Sequence, residues 1–410
     1  MIELFEMGAS VMVLPAVRHL LERKPDAEIY VLTTIGNRTS WEISDLLAKE
    51  RIICLDGRSL WSFVSSAARA VRQLRTIGID LVIDLEKFSR ISVILSVLAG
   101  ARRIAGFHRY EYEGLYRGFS LIDSPCAFNQ NEHIALNFFA VAKGALRPEQ
   151  SYPNLKDWIN PDDLKLPKYE LSPQGARQVR ESLGLDEGES VVVICPDVGT
   201  NLSVRNYPVA SYAKVAQQLL DESPGRHIAI IGVELNKAIC GELESLIGSP
   251  RVHNLCGKTR SLGELMDLLA ASELLIGNDN GPLHFASLTD TPILGIFSTD
   301  SPFMYGPLGE AVVLYTFFHC SPCISALNHK HSKCTDNACI KTIPPHVVTE
   351  MSLRLIAGEV QTRTVNGVLP YLERGASILA PQPLVYIGAS ARSRAQGSAS
   401  PESAPATTLP

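Results

Sequence analysis

No apolar run in the chain is long enough to span a membrane. A span needs roughly 18–20 consecutive apolar residues; the nearest approach, Ile91 to Gly100 (ISVILSVLAG), is too short and reads as a buried helix. Excess positive charge is also lacking: 38 Lys and Arg face 43 Asp and Glu, a net charge of −5. That balance excludes nucleic-acid binding driven by overall charge. The first residues, MIELFEMG, are acidic where a secretory leader would be basic. Nine cysteines are an odd number, and in a leaderless chain they argue against a disulfide framework. No repeat at solenoid periods is found. The expected location is the cytoplasm, with peripheral contact at the inner membrane face left open.

What is present points to an α/β protein. A chain of 410 residues, 46% hydrophobic, is long enough for two domains with ample cores. Short apolar runs alternate with helical periods: strands at 2–5, 28–33, 51–55, 80–85 and 103–106, helices at 41–49, 60–75 and 89–98 between them. Such alternation predicts parallel sheets covered on both faces, with ligands beyond the carboxyl ends of the strands. Residues 1–147 form the first expected domain. Five prolines between 148 and 173 mark a linker over 148–171. A second domain follows over 172–358, opened by a helix that Ser172-Pro173 caps and Gly184 closes. Beyond about Ser390 (390–410) the Ser/Ala/Pro-rich tail is expected to be disordered.

The chain's most informative stretch is Gly277-Asn278-Asp279-Asn280-Gly281-Pro282-Leu283-His284. It reads as strand, tight loop, helix. Asn280 or Asp279 can cap the helix, and Pro282 suits its first turn. Gly281 lets a ligand approach the backbone, and the free N–H groups and dipole make an anion site. His284, one turn in, adds a donor. The stretch is expected to cradle a diphosphate, although many α/β joints of this composition bind nothing.

The run through Asn278, Asp279, Gly281, Pro282 and His284, then Thr291-Pro292 and Phe297, resembles the nucleotide-binding signature of glycosyltransferase family 9, which contains the heptosyltransferases. The similarity covers roughly residues 1–358. It implies the GT-B fold, two Rossmann-like domains facing across a cleft, with the donor held by the second. By the resemblance Thr200 and Arg205, in Arg205-Asn206-Tyr207-Pro208, meet the donor diphosphate, and Glu234 meets its ribose. Gly257-Lys258-Thr259 matches the family too; it is not a Walker loop, because the preceding glycine is missing.

One position departs from the family. In the loop Glu6-Met7-Gly8-Ala9-Ser10, Ala9 stands where the family has its catalytic Asp. Alanine accepts no proton, so another carboxylate is needed. Glu6 is the chosen base and Glu86 the alternative. On the acceptor side, four arginines lie among residues 102–117; Arg103, Arg109 and Arg117, with Tyr110, Tyr112 and Tyr116, are the expected acceptor contacts. Cys320, Cys323, Cys334 and Cys339 could bind a structural zinc or be reduced loop thiols. No cofactor is required for transfer. The expected function is metal-independent, inverting transfer of a sugar, heptose by family default, from a nucleotide diphosphate sugar such as ADP-heptose to a glycan acceptor such as lipopolysaccharide core. The alternative is a nucleotide-sugar-binding protein that has lost its base.

Overall fold

The computed structural model describes residues 1–4, 7–87, 89–107, 121–147, 154–160, 163–196, 204–309, 311–325, 332–360 and 384–387. In the amino-terminal half the order is α1 (Met7–Arg23), β1 (Val31–Thr34), α2 (Arg38–Ile43), β2 (Ile52–Leu55), α3 (Leu60–Ile77), β3 (Leu81–Asp84), α4 (Arg90–Leu98), β4 (Arg103–Phe107), β5 (Ser124–Cys126) and α5 (Ile134–Ala145). The carboxyl half continues with α6 (Pro173–Leu183), β6 (Ser190–Cys195), α7 (Val209–Glu222), β7 (Arg226–Ile230), α8 (Lys237–Ile247), β8 (Val252–Asn254), α9 (Leu262–Ala271), β9 (Leu274–Asn278) and α10 (Gly281–Ala286). It closes with β10 (Ile293–Phe297), α11 (Pro302–Tyr305), β11 (Ala311–Tyr315), α12 (Ala338–Lys341), α13 (Pro345–Ile356) and β12 (Leu384–Ile387).

Local signals account for many boundaries. Ser59 accepts from the Ser62 N–H at 3.1 Å and caps α3, which ends on Gly78 at φ 77°. Ser172 caps α6 through the Gly175 N–H at 3.0 Å, and Gly184 closes it at φ 60°. Only glycine takes such left-handed closures without strain. The helix expected over 41–49 is instead the short α2, because Trp41 is drawn into the core and the chain turns at Asp45, φ 51°.

Every strand pairing is parallel except β11 with β12. In the first half β1–β2 and β3–β4–β5 are joined through Ile2, which bridges Leu32 on one side and Asp84 on the other. The expected strand at 2–5 is therefore reduced to one bridging residue, Ile2, among the described residues, with Phe5 outside them. The second sheet runs β12-β11-β10-β9-β6-β7-β8. Its order reverses between β6 and β9, the switch point at which open α/β sheets bind ligands.

α1 and α5 cover one face of the first sheet. Their core is continuous with that of the second half, since Val13 and Phe138 share it with Leu283 and Phe285. α3 and α4 cover the opposite face, burying Ala70, Leu74, Leu95 and Ala99 against Ile2, Ile53, Val82 and Ile104. The segment 91–100 thus forms a helix, but not a buried one: Ile91, Ile94, Val97 and Leu98 are exposed.

Candidate functional site

Three loops leave neighbouring strands β6, β9 and β10 at the carboxyl edge of the second sheet and bring Arg205, Asp279 and Asp300 together. Arg205 Nη1 lies 3.4 Å from Asp279 Oδ2, and Nη2 is in contact with Asp300 Oδ2. Arg205 and Asp300 are both buried. Arg205 Nε and Thr299 Oγ1 are buried without a hydrogen-bond partner among the described residues. A buried N–H donor without a partner is costly, which marks this as a place where an acceptor from outside the chain would be stabilising.

Asn278 holds the cluster from below. Its Nδ2 donates to the Arg205 carbonyl at 2.8 Å and to the Ile296 carbonyl at 3.3 Å. Its Oδ1 accepts from the Tyr212 hydroxyl at 2.8 Å and the Tyr207 N–H at 3.3 Å. The four bonds use the full capacity of an amide, so Asn278 fixes where Arg205 leaves the sheet. Tyr207 is fully buried, donates to the Ile343 carbonyl at 2.8 Å, and has its phenol pKa pushed up to about 12 by burial.

At the start of α10, Asn280 takes the N-cap position but makes no capping bond; its Nδ2 reaches Cys195 Sγ at 3.1 Å. Asp279 faces Arg205, so neither residue expected to cap the helix does so. With only six residues, α10 has a small dipole. The residue pressed against this turn is Gly8. A Cβ on Gly8 would stand 3.1 Å from Gly281 Cα and 3.0 Å from His284 Cδ2, whereas a Cβ on Gly281 would meet nothing nearer than Phe285 Cε2 at 3.9 Å. The close approach therefore depends on Gly8, not on Gly281, and the amino-terminal turn of α1 covers the buried His284 ring.

Further contacts tie the two halves together beside it. His133 donates from Nε2 to the Gly306 carbonyl at 2.8 Å, and burial lowers its pKa to about 4. Lys87 Nζ reaches the Tyr305 hydroxyl at 3.3 Å.

The sequence-predicted residues distribute unevenly. Arg205, Asp279, Asn280, Gly281 and His284 are brought together. Glu234 is exposed beyond the end of β7; it pairs with Lys237 at 2.5 Å and covers Gly257. Arg103 is not at the cleft. It begins β4, at the opposite end of the strand, and its guanidinium binds the carbonyls of Ala145 and Arg147 at the end of α5. Glu6, Thr200, Arg109 and Arg117 lie outside the described residues, as do Tyr110, Tyr112 and Tyr116. Ala9 sits in the first turn of α1.

Two carboxylates, one in the segment leading into α1 and one bonded to that segment, are buried. Glu86 Oε1 accepts the Leu4 N–H at 2.7 Å. Glu3 Oε2 accepts from Trp41 Nε1 at 3.1 Å and from the Ser10 and Thr33 hydroxyls, both at 3.2 Å. Burial raises the Glu3 pKa to about 7 against those bonds. Glu3 and Asp300 carried no motif that could have singled them out; their partners are distant in sequence. None of the four clustered cysteines is in a disulfide with another described residue: Cys320 is exposed, Cys339 is buried, Cys323 Sγ lies 3.4 Å from Ser332 Oγ, and Cys334 donates to the Asp336 carbonyl at 3.0 Å. Among the described residues no group of three or more His, Cys, Asp or Glu side chains is placed to hold a metal.

Two parallel-sheet halves joined at their carboxyl edges define the GT-B class of glycosyltransferases. More narrowly, the chain belongs to glycosyltransferase family 9 (heptosyltransferase), whose pattern matches residues 67–333. It is 23% identical over 235 residues to lipopolysaccharide heptosyltransferase 2 of Escherichia coli K12, covering 56% of this chain and 63% of that protein. It is 28% identical over 203 residues to lipooligosaccharide heptosyltransferase 2 of Campylobacter jejuni, covering 47% and 57%. The matches therefore span less than two thirds of these curated relatives. Two solved structures share the fold. The E. coli ADP-heptose lps heptosyltransferase II superposes with a TM-score of 0.66 at 20% identity, covering 87% of this chain and 98% of that one. The family 9 glycosyl transferase of Veillonella parvula gives 0.67 at 17% identity, covering 87% and 96%. Among the described residues no helix is long and apolar enough to cross a membrane.

Proposed function

We propose that this chain transfers a sugar from a nucleotide diphosphate sugar to a hydroxyl of a glycan or glycolipid acceptor, without a metal and with inversion. The observation that carries the reading is the buried Arg205 guanidinium at the strand-order switch point, whose Nε–H has no partner among the described residues. The acceptor oxygen attacks the anomeric carbon as the bond from that carbon to the diphosphate oxygen breaks. The acceptor proton passes to a carboxylate, and the nucleoside diphosphate departs with added negative charge. Arg205 stabilises that charge, which is the work a divalent cation does in other transferases. Asp279, Asn280, Gly281 and His284 complete the donor side, with Thr200 on phosphate and Glu234 on ribose. Arg109 and Arg117 are the acceptor residues in this reading; Arg103, with its fork taken up by carbonyls, is not. ADP-heptose is the first donor to try and lipopolysaccharide core the first acceptor, because the relatives' names carry both.

Ala9 favours a second reading, a nucleotide-sugar-binding protein without a base. Glu6→Gln separates the two. General-base catalysis contributes roughly 10²–10⁴-fold, so a fall of less than about tenfold in transfer removes Glu6 from the mechanism. The donor site itself is tested by thermal shift with ADP-heptose and with UDP- and GDP-sugars. A ligand at about 100 times its Kd stabilises the native state by roughly 2.7 kcal/mol. Arg205→Lys keeps the charge but lacks the Nε–H and the fork; it should abolish the shift while the protein stays folded. No shift with any nucleotide sugar would sink both readings.

A further inference from the structure

Helices facing water ordinarily carry polar residues on their outer side. α3 and α4 do not. Leu60, Trp61 and Val64 on α3 and Ile91, Ile94, Val97 and Leu98 on α4 are all exposed, Trp61 at 84%, Leu60 at 77% and Ile94 at 54%. These seven are nearly half of the fifteen large exposed hydrophobics among the described residues. The inner positions Ala70, Leu74, Leu95 and Ala99 already fill the core below, so the outer ones are not needed there. The helices lie side by side, joined by the Arg75 Nε–H donating to the Leu98 carbonyl at 2.7 Å. Together they form one apolar face, and a face of this kind marks an interaction surface.

Charge identifies what the surface meets. The ionisable side chains of α3 and α4 are Arg69, Arg72, Arg75 and Arg90; neither helix has an acidic residue, in a chain whose net charge is −5. On the flank turned away from α4, Arg69 and Arg72 share a groove with Glu50 and Arg51, and Arg69 acts on Asp56, so acidic groups come only from neighbouring elements. Aliphatic side chains on two helices whose own charges are all guanidinium groups, with an exposed indole among them, match the boundary between acyl chains and anionic headgroups. There tryptophan is favoured for its apolar body and polar N–H, and arginine for phosphate. We infer that the α3–α4 face is a docking surface for an anionic lipid bilayer. Both helices begin just beyond the carboxyl ends of β2 and β3, the edge at which Gly8 meets Gly281. Docking by this face sets the mouth of the candidate site beside the lipid, where the sugar headgroup of a glycolipid would stand. The inference rests on surface chemistry and holds whether or not the chain transfers a sugar.

Cosedimentation of the full chain with sucrose-loaded vesicles tests it. Binding is expected to phosphatidylcholine vesicles containing phosphatidylglycerol, to weaken with salt, and to be much lower on phosphatidylcholine alone. Trp61→Ser with Ile94→Ser should lower the partition coefficient by ~tenfold or more, and Arg69→Gln with Arg72→Gln should remove most of the preference for phosphatidylglycerol. All four positions are exposed, so unchanged thermal melts and unchanged nucleotide binding would show that folding is not the cause. In a Trp158→Phe background, the native Trp61 emission should shift to the blue on adding anionic vesicles. The proposal is overturned if the chain ignores anionic vesicles, if the paired serine substitutions leave binding intact, or if they instead abolish a monomer–dimer equilibrium in sedimentation velocity. That last result would give the face to a second copy of the chain.

Discussion

Gly8 and His284 lie in direct van der Waals contact across the two halves of the molecule: a Cβ on Gly8 would stand 3.0 Å from His284 Cδ2. The turn with Ala9, where the family resemblance places the base, is thereby seated on the turn proposed to hold the donor. A shift of α1 away from α10 would separate Ala9 and its neighbours from that turn.

Gly8→Ala should therefore be costly and Gly281→Ala mild. The added methyl at Gly8 meets backbone at 3.1 Å, and overpacking of this kind typically costs about 1–3 kcal/mol. At Gly281 the space is open, and alanine is the better helix former. Urea denaturation of both variants checks the ranking; equal stabilities would show that the halves move apart freely at this contact.

Asp300 should matter more to stability than Asp279. Both face Arg205, but Asp300 is the more deeply buried, its side chain 2% exposed against 12%. Removing one partner of a buried ion pair costs roughly 3–5 kcal/mol. Because Asp279 still balances Arg205, we expect about half of that for Asp300→Asn and about 1 kcal/mol or less for Asp279→Asn. Denaturant midpoints of the two variants decide it. The reverse order would mean that Asp279, not Asp300, is the structural partner.

Glu3 and His133 should give pH dependences of opposite sign. Burial raises the Glu3 carboxyl from 4.5 to about 7, so the folded state binds this proton more tightly than the unfolded state. The stability Glu3 contributes is full below about pH 4.5 and is lost as pH rises through about 7. His133 is lowered from 6.5 to about 4; its contribution is present above about pH 6.5 and is lost as pH falls through about 4. Glu3→Gln should therefore gain in melting temperature relative to the parent between pH 4.5 and 7, and His133→Asn should lose relative to it between pH 4 and 6.5. Parallel melting curves across this range would contradict both assignments.

Much of the local structure was legible from residue order. The run Ser190–Cys195 is β6 end to end, Ser172 and Gly184 bracket α6, and Glu273 through His284 does fold as strand, loop and helix. Arg205 and Asp279 were also marked, through the family resemblance. Less legible were elements whose environment overrides their composition. ISVILSVLAG reads as buried, yet its helix has only one face on the sheet, and nothing in the spacing of its aliphatics says that the other face lacks a cover. Arg103 belongs to an arginine-rich stretch, but its place at the amino end of β4 sends it to the carbonyls that close α5.

By itself the sequence determined the local elements and the types of residue at their ends, because caps, apolar periods and left-handed glycines act over a few residues. Only the tertiary structure decided which ends meet. Asp300 reaches Arg205, Gly8 meets Gly281 and Trp41 binds Glu3 because strand order and helix packing set parallel strand ends side by side. That order is chosen by burial over the whole chain, and no short stretch of residues encodes it.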